Sequence, residues 1–200
     1  MTGDLRASTF DPHNAAHLGG LRALFSASLC TCYCRYWHFE GDKNAWLERC
    51  SILHGENERE LVAAAQARSD EARGVIAEAG GVVVGWAKVA PAAGLKKLYD
   101  QRYYRGLSVL SGPREGVFTV GCMLVHPEHR GRGVTRALAR AAVALAREAG
   151  ARSIEAFPRV TEARAHDEEL WMGPASALQE AGLVPVHPEL PYPVLRLDLR

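Results

Sequence analysis

No stretch of this 200-residue chain is apolar for long enough to cross a bilayer; runs such as AAVALA at 141–146 fall far short. The first residues, MTGDLRASTF, contain no apolar core of the kind a signal peptide needs. Charge of neither sign prevails. Lys and Arg number 24 against 23 Asp and Glu, a formal net charge of +1, so nothing global points to a nucleic acid or an anionic membrane as partner. Internal repeats, low-complexity tracts and Pro/Gly linkers are all missing, and a single domain over residues 1–200 is the simplest reading. Cysteines are five, an odd number, so the expected setting is the cytosol, with thiols reduced. A chain of this length buries well over half of its unfolded surface and needs no disulfide or metal to fold.

What is present reads as alternating strands and helices. DLRAST (4–9) predicts an opening strand, and FDPHNAAHLGGLRALF (10–25) a helix with Asp11 as N-cap and Pro12 in its first turn. GENERELVAAAQARSD (55–70) has the spacing of an amphipathic helix. GVIAEAGGVVVGWAKVAP (74–91) predicts a hairpin turning at Gly80-Gly81. VFTVGCMLVHP (117–127) is a longer strand. In 133–150, Val134, Leu138, Ala141, Ala142 and Leu145 share one helical face, and Gly150 is the stop. RSIEAFP, PASALQEAG and VLRLDL supply a strand, a short helix and a closing strand.

The most informative stretch is LVHPEHRGRGVTRAL (124–138). A strand ends at Val125, the chain turns through Pro127, and Gly131 and Gly133 lead into a helix. Glycines let backbone N–H groups crowd around an anion, and the helix start adds free donors and positive dipole. Arg130 and Arg132 add forked donors suited to phosphate. The run is neither a Gly-Lys-Ser/Thr loop nor a dinucleotide fingerprint.

This stretch resembles the signature of the GNAT superfamily of acyl-CoA-dependent N-acetyltransferases, Arg/Gln-x-x-Gly-x-Gly/Ala after a strand ending Leu/Val-x-Pro. Arg130–Thr135 matches it, with Thr135 in place of the last small residue. The order of elements resembles the family from about residue 4 to residue 199. VGWAKVAP, GCMLVHPEHRGRGV, GARSIEAFP and the cysteine- and Trp-rich N-terminal segment resemble a narrower bacterial subgroup. The resemblance implies an α/β fold: a mixed, twisted sheet of about six to seven strands flanked by helices, with the fourth and fifth strands splayed. It implies acetyl-CoA as co-substrate and no metal. Backbone N–H groups of Arg130, Gly131, Arg132, Gly133, Val134 and Thr135 would hold the pyrophosphate. Met123, Leu124 and Val125 would pair with the pantetheine arm, and the N–H of Leu124 would take the acetyl carbonyl.

The implied reaction is attack of a primary amine on the thioester, so a proton must leave an amine of pKa roughly 10.4. Glu155, between the apolar Ile154 and Ala156, is the candidate base; the alternative is a solvent-side carboxylate of an alternating strand. Many members use a tyrosine four residues before the glycine at 182, and here that position is Leu178; Ser176 or Tyr192 could substitute. The alternative to an enzyme is an acyl-CoA-binding sensor or partner module. The expected acceptor is a small-molecule or peptide amine. Nucleic acid and membrane are not expected as partners, and a homodimer stays open.

Three further features remain. The mixed basic and aromatic stretch LKKLYDQRYYRG (95–106) reads as a nucleic-acid patch, a lid, or plain surface with Leu95, Leu98 and Tyr99 turned inward. HDEELW (166–171) could meet a cationic amine or be a solvated turn. Cys30, Cys32 and Cys34 alternate, which on a strand would aim all three to one side, backing an acceptor site shaped by Tyr33, Trp37 and His38, with Trp86 as core or pocket wall. A zinc set with Cys50, His38 or His54 and a redox role are the alternatives. Cys122 is a candidate acyl nucleophile or a small apolar filler.

Overall fold

The computed structural model describes residues 4–161 and 166–199. The side chain of His54, named above as a candidate ligand, and those of Asp167 and Glu168 in the HDEELW stretch lie outside the described set. The strands are β1 (Leu5–Thr9), β2 (Gly74–Ala79), β3 (Val82–Pro91), β4 (Val117–Val125), β5 (Ser153–Ala156), β6 (Val184–His187) and β7 (Val194–Asp198). They form one seven-stranded sheet in the order β1-β2-β3-β4-β5-β7-β6. Every pairing is antiparallel except β4 with β5, which is parallel. That connection needs a crossover, and α5 (Val134–Glu148), the helix after the one-turn α4 (Lys96–Tyr99), supplies it.

The expected helical face of α5 lies on the sheet: Leu138, Ala142 and Leu145 pack with Val75, Val89 and Val120. Gly85 in β3 makes the close approach possible, because a Cβ there would sit 2.6 Å from Val134 Cγ1. On the opposite face, α1 (Ala15–Ala27) and α3 (His54–Gln66) bring Leu21, Leu24, Phe25 and Leu61 against Ile76 and Trp86. Each such fully buried side chain contributes about 1.5–3 kcal/mol before entropy is set against it. A third cluster forms under the 91–116 insertion, where Leu95, Leu98 and Tyr104 meet Trp37 and Phe157. Leu95 and Leu98 are turned inward as the spacing predicted.

The structure departs from the sequence reading near the N-terminus. The cap of α1 is Asn14, whose side chain accepts the N–H of Ala16, while Asp11 accepts the N–H of His13 one turn earlier. A further helix, α2 (Lys43–Ser51), buries no residue and so carried no apolar stripe to predict it. The cysteines do not lie on a strand. Leu29, Tyr33 and Cys34 have positive φ (50°, 45° and 53°), so 29–34 is a tight, partly left-handed turn. The turn swings Cys34 to β4, where it forms a disulfide with Cys122 across 88 residues. This corrects both the expectation that all five thiols stay reduced and the reading of Cys122 as filler or nucleophile. Among the described residues, no group of three or more His, Cys, Asp or Glu could hold a metal ion, and no helix is long and apolar enough to cross a membrane.

Candidate active site

β4 and β5 part company. They pair from Val117–Ser153 to Val120–Ala156, after which β4 runs on through Gly121–Val125 with β3 alone beside it. Backbone direction along this free edge follows from two hydrogen bonds. His126 N–H donates to Val84 O of β3, at 2.9 Å, whereas Met123 N–H points the other way, to Trp171 O at 2.7 Å. Strand groups alternate sides. Met123 and Val125 therefore face the gap, and Leu124 faces β3. The expected donation from Leu124 N–H to an acyl carbonyl is corrected by this alternation.

Past Val125 the chain makes a short helical turn at Pro127–His129, capped by the His126 imidazole, which accepts the N–H of Glu128. Gly131 (φ 71°) and Gly133 (φ 83°) then adopt left-handed conformations that L side chains resist, and Gly133 caps α5. A Cβ at either position would meet nothing within 4 Å, so both face open space. The first helix amide with a backbone acceptor is Ala137, bonded to Gly133 O at 3.1 Å. Among the described residues, the N–H groups of Gly131–Arg136 thus have no backbone partner, as expected at a helix start. All of these residues but Arg132 line a cleft of about 560 Å³. Its walls are Met123–Val125, the loop from His129 through Arg136 except Arg132, the Ser28–Cys30 turn, and, from the 170–177 stretch, Leu170, Trp171, Pro174, Ser176 and Ala177. Arg132 is exposed and outside the lining.

Of three further wall residues, sequence reasoning missed Ser28 and named Cys30 and Trp171 only within the cysteine and 166–171 stretches. Trp171 covers one side, stacked on Trp37 at 5.3 Å. Ser28 Oγ is buried with no hydrogen-bond partner. Cys30 is half-buried, its sulfur 3.5 Å from that of Cys32. No local signal marks them, because the turn and loop that deliver them are set by distant contacts. Ser176 also lines the cleft, whereas Leu178 is buried in the core and Tyr192 stacks on Tyr103 at 4.0 Å, elsewhere.

Glu155 lies outside the cleft lining, on the face away from Ile154. It is fully buried. Arg114 Nη1 donates to both its oxygens (3.2 and 3.1 Å), Arg196 donates through Nε and Nη2 (3.0 and 2.6 Å), and Tyr99 donates its hydroxyl at 2.7 Å. These five contacts occupy the lone-pair directions that a base would need. The solvent-side alternative is corrected too, because the 91–116 insertion covers this face. Burial and the Glu155 charge hold the Tyr99 hydroxyl well above its ordinary range.

Tyr33, Trp37 and His38, expected to shape an acceptor site, do not come together on the cleft, and of the two readings of Trp86 the structure shows the core. Tyr33 stacks on Phe25 and donates to Glu58, Trp37 donates to Gly121 O at 2.7 Å, and Trp86 is fully buried in β3. His38, with Nε2 unpartnered, has its pKa pulled down to about 3 by burial and by the nearby Lys88 and Arg35 charges. Lys88 itself is fully buried beside Gly121, donating to Glu71 O; burial, then Arg35, lowers its pKa to about 7.

The family model described as acetyltransferase (GNAT) family matches residues 30–168, more than half of the chain. Solved structures share the fold at low identity. The aminoglycoside acetyltransferase AAC(6')-Ib in complex with coenzyme A aligns with TM-score 0.56 and 15% identity, covering 98% of this chain and 95% of that one. An N-acetyltransferase from Staphylococcus aureus Mu50 gives 0.53 and 12%, covering 98% and 99%. The PaiA N-acetyltransferase from Thermoplasma acidophilum in complex with coenzyme A gives 0.52 and 8%, again covering 98% and 99%. No curated protein matches the chain in sequence.

Proposed function

The chain belongs to the acetyltransferase (GNAT) family, and from that premise we propose that it transfers an acetyl or short acyl group from acetyl-CoA to a primary amine of a small-molecule or peptide acceptor. One observation carries the reading: the end of β4, left by β5 and paired with β3 alone among the strands, leads directly into a glycine loop that lines a cleft of about 560 Å³ and whose amides have no backbone partner among the described residues. Three features fit a bound acyl-CoA. Open amides at Gly131–Arg136 suit a pyrophosphate, Val125 N–H faces the gap where an extended arm could add as a strand, and Ser28 Oγ lacks a partner. VGWAKVAP and the cysteine-rich segment support the narrower bacterial subgroup.

Acetyl-CoA supplies the activated acyl group. The chain's contribution is to bind and orient it. Amides of Gly131–Thr135, with the Arg130 side chain beside them, hold the phosphates at the start of α5, where the helix dipole adds to their field. Val125 fixes the arm along β4. The Trp171 indole, leaning on Trp37, closes one side against water. Ser28, Thr135 and Ser176 are the hydroxyl-bearing residues of the cleft lining, and a departing thiolate could find a donor among them rather than at Tyr192. An alkyl thiol of pKa roughly 8.5 leaves tolerably even without one.

The second reading, an acyl-CoA-binding module without turnover, is favoured by the buried Leu178 and by Trp171 O sitting on the gap-facing Met123 N–H. The test is CoA-thiol release from acetyl-CoA across a panel of aminoglycosides, polyamines, amino acids and peptides, with binding followed by calorimetry. Release on at least one amine, lost in Gly133→Asp, is expected. Binding without release on any amine sinks the enzyme reading. Absence of binding in a folded protein, with Gly133→Asp indistinguishable, sinks the cofactor assignment.

A further inference from the structure

The tight turn at 29–34 places two free thiols where a strand could not. Cys30 and Cys32 have their sulfurs 3.5 Å apart, close enough that one S–H is hydrogen-bonded to the other sulfur. Both are free, and Cys30 is on the cleft wall. Cys34, the next alternate residue, is tied to β4 through Cys122, so the turn holding the pair is fixed at its far end. We propose that Cys30 and Cys32 are a redox-active dithiol, a site at which low-molecular-weight disulfides react from the cleft and close a Cys30–Cys32 disulfide.

The two thiols have different parts. Cys30 lines the cleft and Cys32 does not, so Cys30 is the attacking sulfur and Cys32 the resolving one. The contact between the two sulfurs lowers the pKa of Cys30 and, together with burial, raises that of Cys32, in keeping with those parts. Cys30 thiolate attacks one sulfur of the small disulfide; a Cys30–S bond forms, the small S–S bond breaks, and the released thiolate takes up the proton Cys30 gave to solvent. Cys32 then attacks the Cys30 sulfur of the mixed disulfide, and its proton goes to the second small thiolate as that leaves. Two protein thiols are oxidised, and the small disulfide is reduced to two thiols. Cys50 stands apart. Its thiol is near the Asn57 amide, at 3.8 Å, and burial raises its pKa, so it is not a competing attacker.

The experiment places the full-length protein in glutathione buffers from reducing to oxidising, quenches with iodoacetamide, and reads intact mass and peptide maps. Expected at the oxidising end is the loss of two hydrogens, with Cys30 and Cys32 both protected, Cys50 alkylated, and full reversal by excess reduced glutathione. Cys32→Ser should arrest the reaction as a glutathione adduct on Cys30, and Cys30→Ser should leave Cys32 alkylated throughout. The wild-type arm needs no variant to fold. Alkylation of both Cys30 and Cys32 in every buffer, or a new disulfide joining either of them to Cys34, Cys50 or Cys122, overturns the proposal.

Discussion

Replacing Glu155 by Gln removes one negative charge from beneath two guanidinium groups and leaves the carbon framework in place. Glu155 is fully buried, while the side chains of Arg114 and Arg196 keep 19% and 24% exposure. Breaking a buried ion pair from one side costs about 3–5 kcal/mol, because the remaining charge stays desolvated. Partial exposure of both arginines lowers that figure, and the amide oxygen of Gln still accepts one or two of the five contacts. About 2–4 kcal/mol remains. At roughly 2–4 °C per kcal/mol for a domain of this size, the melting temperature should fall by about 4–16 °C. Both arginines also donate to the insertion, Arg114 to Leu110 O and Arg196 to Val109 O, each at 2.5 Å, so amides of 107–116 should exchange faster in the variant. Calorimetry and hydrogen exchange read these two effects. A Glu155 acting only as general base gives the opposite pattern: an unchanged melting temperature and an acyl-transfer rate depressed at neutral pH and recovering at high pH. That outcome would refute the clamp and restore the base.

Lys88 links stability to pH. Its pKa is about 7 in the folded protein against 10.5 as an ordinary value, so between those limits the unfolded chain binds more protons and stability should rise with pH. The slope approaches about 1.4 kcal/mol per pH unit, and urea titrations at pH 7, 8 and 9 should show it in wild type and not in Lys88→Met; parallel curves would contradict it. His38, lowered to about 3 from 6.5, works in the same sense at lower pH, with stability lost as pH falls through that window. The Cys34–Cys122 disulfide closes an 88-residue separation, and its removal in Cys122→Ser should cost about 2–5 kcal/mol. A urea midpoint that does not move on full reduction of the wild-type protein would count against that stabilisation.

Much of the sheet was legible because its signals are local. Gly80-Gly81 between β-branched runs gave the hairpin of β2 and β3, the apolar stripe with Gly150 gave α5, and the glycines after Pro127 gave the loop that lines the cleft. The cysteine turn was not legible. Alternation at 30, 32 and 34 is the same text whether the backbone is extended or left-handed, and Tyr33 and Cys34 are not residues that announce positive φ. Asp11 and Asn14 are both good caps, and only the helix start distinguishes them. For Glu155 the strand period correctly separated it from Ile154 and Ala156, but its arginines arrive from 41 residues away on either side, and no local pattern encodes that. Cys122 belongs to the same class, since its partner is fixed by how α1 lies on the sheet.

The Cys34–Cys122 bond makes the two long sides of the cleft mechanically unequal. It rivets the turn bearing Ser28 and Cys30 to the strand bearing Met123 and Val125, so these surfaces shift together or not at all. The opposite jaw, Leu170–Ala177, meets that block at Met123, whose N–H bonds Trp171 O and whose side chain lies against Gly173, and through the facing Trp37 and Trp171 rings. Any widening to admit or release a long ligand therefore has a direction: the Trp171 side swings, and the cysteine side is the frame it swings against.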